Sequence, residues 1–174
     1  MERGGVRWWA GRVRQFRNHL GARVAPAERT ALLGWAPAWA VDAFDAMHVA
    51  DRRHGLDVMA SLLADGVDFA SEADRELLLA GLLHDCGKGD TGVWPRVAVA
   101  LGQAYGPAVR RLGRLLPWPG WRTALDRGEA HAEISARLVA AAGGSVRTVE
   151  LIRHQDAPQD PVDGERLRLA DEAN

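Results

Sequence analysis

The 174-residue sequence is poor in several features that define whole classes of protein. Its one cysteine, Cys86, excludes a disulfide framework and is compatible with a reducing compartment. No stretch reaches 18 consecutive apolar residues, and the first 16 residues lack the apolar core of a signal peptide. The net charge of −1 gives no general attraction to nucleic acid or to an anionic membrane. We therefore expect a cytoplasmic protein without a membrane partner.

Lysine is almost absent as well. Of the 22 basic residues, 21 are arginines and one is a lysine, Lys88. A GC-rich genome would favour arginine everywhere, yet this one lysine falls three residues after an adjacent histidine and aspartate. A compact ammonium group is a good point charge for a phosphate. The position of Lys88 therefore suggests that its charge is used.

No stretch long enough for a strand alternates apolar and polar residues, which is the pattern of a half-buried strand. Apolar residues at helical spacing recur throughout the sequence instead. We expect an all-α fold. Helices are predicted at about residues 6–20, after Pro26 and Pro37, and at 49–64, 71–85, parts of 94–116, 121–142, 145–154 and 163–174. Ser71 and Asp74 resemble a capping box at the start of the helix 71–85, and Gly87 and Gly89 are expected to end it.

The leucine-rich stretch LLLAGLLHD ends in His84 and Asp85, two groups that are costly to bury unless they are paired or bind a metal. Three more histidines and a carboxylate fall on inward helix faces, namely His54, His131, His154 and Asp171. His48 is an alternative to His54, but Asp51 and Arg52 stand where its helical face should continue apolar, so we favour His54. These six residues form a candidate metal site.

The number of candidate ligands suggests how many ions they hold. Imidazole is a good ligand for Mn, Fe and other transition metals. Six ligands are too many for one catalytic ion with open positions, and they suit two ions about 3.5–4 Å apart that share a bridging carboxylate. Asp85 is the natural bridge because it adjoins a histidine ligand. We therefore expect two divalent metal ions.

The order of these residues resembles that of the HD-domain metal-dependent phosphohydrolase superfamily. HDCGK is similar to its HD-x-GK motif and LRLADEAN to its closing aspartate helix, so that the resemblance covers residues 48–174. It implies an all-α HD-domain bundle with metal between helices. Residues 1–47 precede it, and we expect them to form an N-terminal helical segment packed on that domain. His54, His84, Asp85 and Asp171 match the minimal ligand set, and His131 and His154 the extra pair of dinuclear members. The pattern is HD-GYP-like without the GYP signature, and Gln155 stands where that group often has a second histidine.

The resemblance implies a metal-dependent phosphohydrolase acting on a phosphomonoester or phosphodiester, such as a nucleotide. Asp85 and Lys88 are the expected catalytic residues, and Lys88, Arg52 and Arg53 the candidates for binding substrate phosphate. Two alternatives remain open: an HD-type diiron oxygenase with the same ligands, and a regulatory HD module that senses a nucleotide. The apolar stripe of the predicted helix 6–20 suggests packing on its own domain or in a homo-oligomer.

Overall fold

A computed structural model describes residues 21–89, 105–106, 115 and 119–174. This part of the chain is an all-α bundle of eight α-helices and one 3-10 turn, without a strand. The helices are α1 (Pro26–Leu33), α2 (Ala38–Asp45), α3 (Val49–Ala64), α4 (Glu72–Leu83), α5 (Trp121–Glu129), α6 (His131–Ala142), α7 (Val146–Arg153) and α8 (Asp163–Ala173), with the 3-10 turn Cys86–Lys88 after α4. The all-α prediction is confirmed for these residues.

Local sequence signals explain several helix ends. Ser71 caps α4, because its Oγ accepts a hydrogen bond from the Asp74 N–H at 3.0 Å, as the capping-box pattern predicted. Pro26 occupies the first position of α1, where its missing N–H costs nothing. Gly143 ends α6 in the left-handed region, with φ of 106°. The helix predicted at 49–64 coincides with α3.

Two predicted helices end differently in the structure. The stretch 121–142 forms two helices, because the chain turns at Ala130, which ends α5 and begins α6. Gly128 in the last turn of α5 has a low helix propensity, which favours an end there. The helix that starts after Ser71 ends at Leu83, before Gly87 and Gly89, and the chain continues into the 3-10 turn.

Helix α4 is the centre of the bundle. Its residues from Leu77 to Leu83 are all buried, so this second half of the helix is apolar on every side, and α4 contacts α2, α3, α7 and α8. Gly55 allows α3 to lie directly on α4, because a Cβ there would come within 2.3 Å of the Leu82 carbonyl oxygen. The close contact brings His54, the neighbour of Gly55, to the carboxyl end of α4.

Some predictions fall on other parts of the chain. The predicted helix 6–20 and most of the stretch 94–116 lie outside the described residues.

Leu32 of α1 and Phe44 of α2 belong to the same apolar core as α4, while the domain boundary at residue 48 stays a prediction. Among the described residues, no helix has the length and apolar character needed to cross a membrane.

Candidate metal centre

His84 and Asp85 lie at the junction between α4 and the 3-10 turn, and both are 1% exposed. The Nδ1 of His84 lies 2.9 Å from the Gly81 carbonyl oxygen, which can only accept, so Nδ1 carries a proton and donates it. A histidine held in this way presents its Nε2 to a metal, and such a bond to a backbone carbonyl is a common orienting contact of metal ligands.

Four ligand atoms from three parts of the fold form a closed ring. The Nε2 of His54 on α3 lies 2.8 Å from Asp171 Oδ1 on α8 and 3.8 Å from Asp85 Oδ2. The Nε2 of His84 completes the ring at 3.5 Å from Asp85 Oδ2 and 3.4 Å from Asp171 Oδ1. Two donors bound to one ion at about 2.1 Å are about 3.0–3.4 Å apart at octahedral or tetrahedral angles. The ring distances of 2.8–3.8 Å bracket that range, and the ligand atoms of His54, His84 and Asp85 all lie within 4.8 Å of one another, so these three residues could hold a metal ion.

Unpartnered buried atoms support the same interpretation. In the described part of the chain, four buried side-chain nitrogen or oxygen atoms have no hydrogen-bond partner, and two of them are His84 Nε2 and Asp85 Oδ1. Leaving such atoms unpaired costs about 1–3 kcal/mol each, so each needs an explanation. Since both belong to the cluster of His54, His84 and Asp85, a bound cation is the simplest one.

The charges of the cluster balance one another. Burial alone would lower the pKa of His84, but the carboxylates of Asp85 and Asp171 outweigh burial and raise that pKa to about 9. The pKa of Asp85 is lowered despite its burial, chiefly by His84 and Lys88. The Nζ of Lys88 donates a hydrogen bond to Asp85 Oδ2, and the Lys88 side chain is 27% exposed. Lys88 thus links the buried carboxylate to solvent.

His131 approaches the other oxygen of Asp85. It begins α6, and its Nε2 lies 3.6 Å from Asp85 Oδ1. This approach depends on Gly87, because a Cβ there would lie 2.5 Å from the Ser135 backbone nitrogen on α6. The Gly87 N–H donates to Ser135 Oγ at 2.8 Å, which joins the 3-10 turn to α6. His54, Asp85 and His131 are thereby brought together as the sequence suggested.

His154 takes a different direction. It follows α7, and its Nε2 lies 3.4 Å from Glu150 Oε2 on the same helix. With Glu150 it lines a small cavity between α7 and the start of α8, away from Asp85. In the described structure, Gln155 and not His154 contacts His131, with 2.8 Å between the two Nε2 atoms. The role of His154 as a metal ligand stays a prediction, and no contact of the side chain supports it.

The two arginines expected to bind phosphate have structural partners. Arg53 forms an ion pair with Glu28 at 2.6 Å, which ties α3 to α1, and a second with Asp57 of its own helix at 2.8 Å. Arg52 lies 4.0 Å from Asp45 of α2, and its Nε is buried without a hydrogen-bond partner. None of these partners belongs to the cluster of His54, His84 and Asp85. Their phosphate-binding role stays a prediction.

Three other residues near the cluster can now be placed. His48, the alternative to His54, caps α3, since its Nδ1 accepts a hydrogen bond from the Ala50 N–H at 3.3 Å. Burial raises the pKa of Cys86 to about 11, so its thiol is not an activated nucleophile. Asp51 is a buried carboxylate, 3% exposed, whose charge helps to raise the pKa of Lys88.

Sequence reasoning missed Asp51 as a neighbour of the site. Asp51 precedes His54 by three residues, so the helical spacing that placed His54 inside could have found it. Gln155 was marked only by the resemblance, as the residue in place of a second histidine, and helical spacing gave no further signal because it lies beyond the last helical residue of α7. No protein-family model, no curated protein and no solved structure matches this chain. The side chains of the cluster are therefore the basis for inferring a function.

Proposed function

We propose that this protein is a metal-dependent hydrolase of phosphate esters of the HD-domain type. One observation carries the proposal: a ring of four ligand atoms stands beside Lys88, the only lysine of the chain. Two of these atoms belong to the buried residues His84 and Asp85, and the Nε2 of His84 has no hydrogen-bond partner among the described residues. A cation site next to a single ammonium group suits a phosphate, whose negative oxygens need positive charge on more than one side.

His54, His84, Asp85 and Asp171 are the residues that would hold a divalent ion. Such an ion, when bound, would supply Lewis acidity and lower the pKa of a coordinated water. The protein's own part is to fix the donors: the Gly81 carbonyl orients His84, and the approach of α3 to α4 at Gly55 positions His54. The donors come from three separate elements, so only the folded bundle brings them together.

Lys88 is the proposed contact for substrate phosphate. In the described structure its ammonium compensates the charge of Asp85. A cation bound to Asp85 would take over that compensation, and the partly exposed Lys88 side chain could then turn to a phosphate oxygen. In the hydrolysis, the oxygen of a water forms a bond to phosphorus, the ester P–O bond breaks, and the leaving oxygen takes up a proton. Lys88 would stabilise the charge on the non-bridging oxygens.

The number of ions belongs to the proposal. The distance of 3.6 Å between His131 Nε2 and Asp85 Oδ1 supports a second position that shares the Asp85 carboxylate, as the six-ligand pattern predicted. His154 would have to turn away from Glu150 to contribute. A small phosphate ester, such as a nucleotide, is the proposed substrate class, since Lys88 offers one point charge and not an extended basic surface.

Turnover with and without oxygen tests the proposal. Protein loaded with Mn²⁺ or Fe²⁺ should cleave a generic aryl phosphodiester or release phosphate from nucleotides of a test panel. The rate should be the same in anaerobic and in aerated buffer. Asp171→Asn should abolish that activity, whereas the matched change Asp160→Asn, at a carboxylate near Arg147, should not. Turnover that requires both iron and oxygen would replace the hydrolase by the oxygenase, and nucleotide binding without turnover would favour a sensor.

A further inference from the structure

Gln155 occupies the space next to His131 in the interior of the bundle. It is 5% exposed, and its Nε2 lies 2.8 Å from His131 Nε2. Its other polar atom, Oε1, is buried and has no hydrogen-bond partner in the described part of the chain. A buried amide with one atom on a candidate metal ligand and the other unpaired is unusual enough to need a reason.

The direction of the hydrogen bond follows from the other side of the His131 ring. His131 Nδ1 lies 2.8 Å from the Gly128 carbonyl oxygen, which can only accept, so Nδ1 carries the proton. In the neutral ring Nε2 is then the acceptor, and the Gln155 amide N–H donates to it. The lone pair with which His131 would bind a metal is therefore engaged by Gln155.

We propose that Gln155 gates a second divalent-cation position formed by His131 and Asp85 Oδ1. The inference rests on the metal site of the proposed function and adds that the two ions bind with unequal affinity. The first ion enters the ring of His54, His84, Asp85 and Asp171 and leaves Gln155 in place. The second must displace the Gln155 amide from His131, and this lowers its affinity.

The neighbouring histidine does not take this position beside His131. His154, the adjacent residue, pairs with Glu150 and lines the cavity between α7 and α8. Gln155 is thus a positioning residue for His131 in the absence of the second ion.

Stepwise Mn²⁺ binding tests the gate, measured by equilibrium dialysis with elemental analysis on the full chain. Wild type should bind one ion tightly, and a second at least about tenfold more weakly or not at all within the range tested. Gln155→Leu, which removes the amide and keeps its bulk, should strengthen the second step on the order of tenfold. Gln155→His, which supplies an imidazole, should give two tight ions. The first step should stay unchanged in both variants.

The same amide-to-leucine change at the exposed Gln159 is the control and should leave both steps as in wild type. A second readout needs no metal: the ¹⁵N resonance of His131 Nε2 should shift in Gln155→Leu and not in Gln159→Leu, because only the former loses the hydrogen bond. If Gln155→Leu fails to fold by circular dichroism, Gln155→His decides the question alone.

The outcomes separate this inference from the proposed function. Two equally tight ions in wild type, or a second step that stays at its wild-type affinity in the folded Gln155 variants, would overturn the gate and leave the first metal site intact. Absence of any bound ion in wild type and in every variant would remove the metal site and the gate together.

Discussion

Replacing Gly87 by alanine tests whether the 3-10 turn and α6 must touch for the site to form. A Cβ on Gly87 would lie 2.5 Å from the Ser135 backbone nitrogen, 2.7 Å from the His131 carbonyl oxygen and 2.8 Å from Ser135 Oγ. Two of these atoms belong to the backbone of α6 and cannot rotate away. To reach an ordinary contact, α6 and the turn must separate by about 0.9 Å.

The cost follows from that separation. Overpacking of this kind typically costs about 1–3 kcal/mol. Loss of the hydrogen bond from the Gly87 N–H to Ser135 Oγ adds about 0.5–1.5 kcal/mol. Alanine offsets about 0.4–1 kcal/mol by restricting the unfolded chain. We therefore expect Gly87→Ala to lower the free energy of unfolding by about 0.5–4 kcal/mol, and the upper part of that range is a large share of the roughly 5–15 kcal/mol typical of a domain.

Urea unfolding followed by circular dichroism measures this change, and Gly34→Ala is the matched control. Gly34 has φ of −75°, a value open to any residue, and a Cβ there would meet only the Ala31 carbonyl oxygen, at 3.3 Å. The control should stay within about 1 kcal/mol of wild type. A Gly87→Ala protein as stable as wild type would refute the argument that α6 lies against the turn, and with it the approach of His131 to Asp85.

Three further predictions concern the cluster directly. Asp85→Ala removes the carboxylate approached by three imidazoles, those of His54, His84 and His131. Mn²⁺ affinity in equilibrium dialysis should therefore fall by about 100-fold or more while the far-ultraviolet circular dichroism persists, and wild-type affinity would contradict the assignment. Lys88→Met should lower kcat/KM by about tenfold to a thousandfold without changing metal content, and unchanged kinetics would return Lys88 to a structural ion pair. The pKa of His84 is raised to about 9, and His84 must lose its proton to bind a metal. Mn²⁺ affinity should therefore increase about tenfold per pH unit between roughly pH 6.5 and 8.5, and an affinity independent of pH would contradict a ligand role for a His84 with a raised pKa.

Local patterns were sufficient for much of the fold. Helical periodicity predicted an all-α chain, and the Ser71 cap and the left-handed Gly143 marked helix ends, because these signals depend on residues within one turn of each other. Periodicity also placed His54 on an inward face, and the cluster of His54, His84 and Asp85 lies within metal-binding distance. The break of the predicted helix 121–142 at Ala130 was missed, since the Gly128 signal alone is weak.

The sequence by itself determined that the chain is helical and which residue types could meet at the end of α4. Only the tertiary structure decided which of the adjacent residues His154 and Gln155 faces His131. Both follow Arg153, the last residue of α7, so helical spacing no longer dictates their direction. The packing of α7 against α4 and α6 turns Gln155 inward and leaves His154 beside Glu150. Gly87 is a second example. The motif HDCGK shows in the sequence that a glycine stands there, but only the fold shows why no side chain fits, because the backbone of α6 is distant in sequence and lies against Gly87.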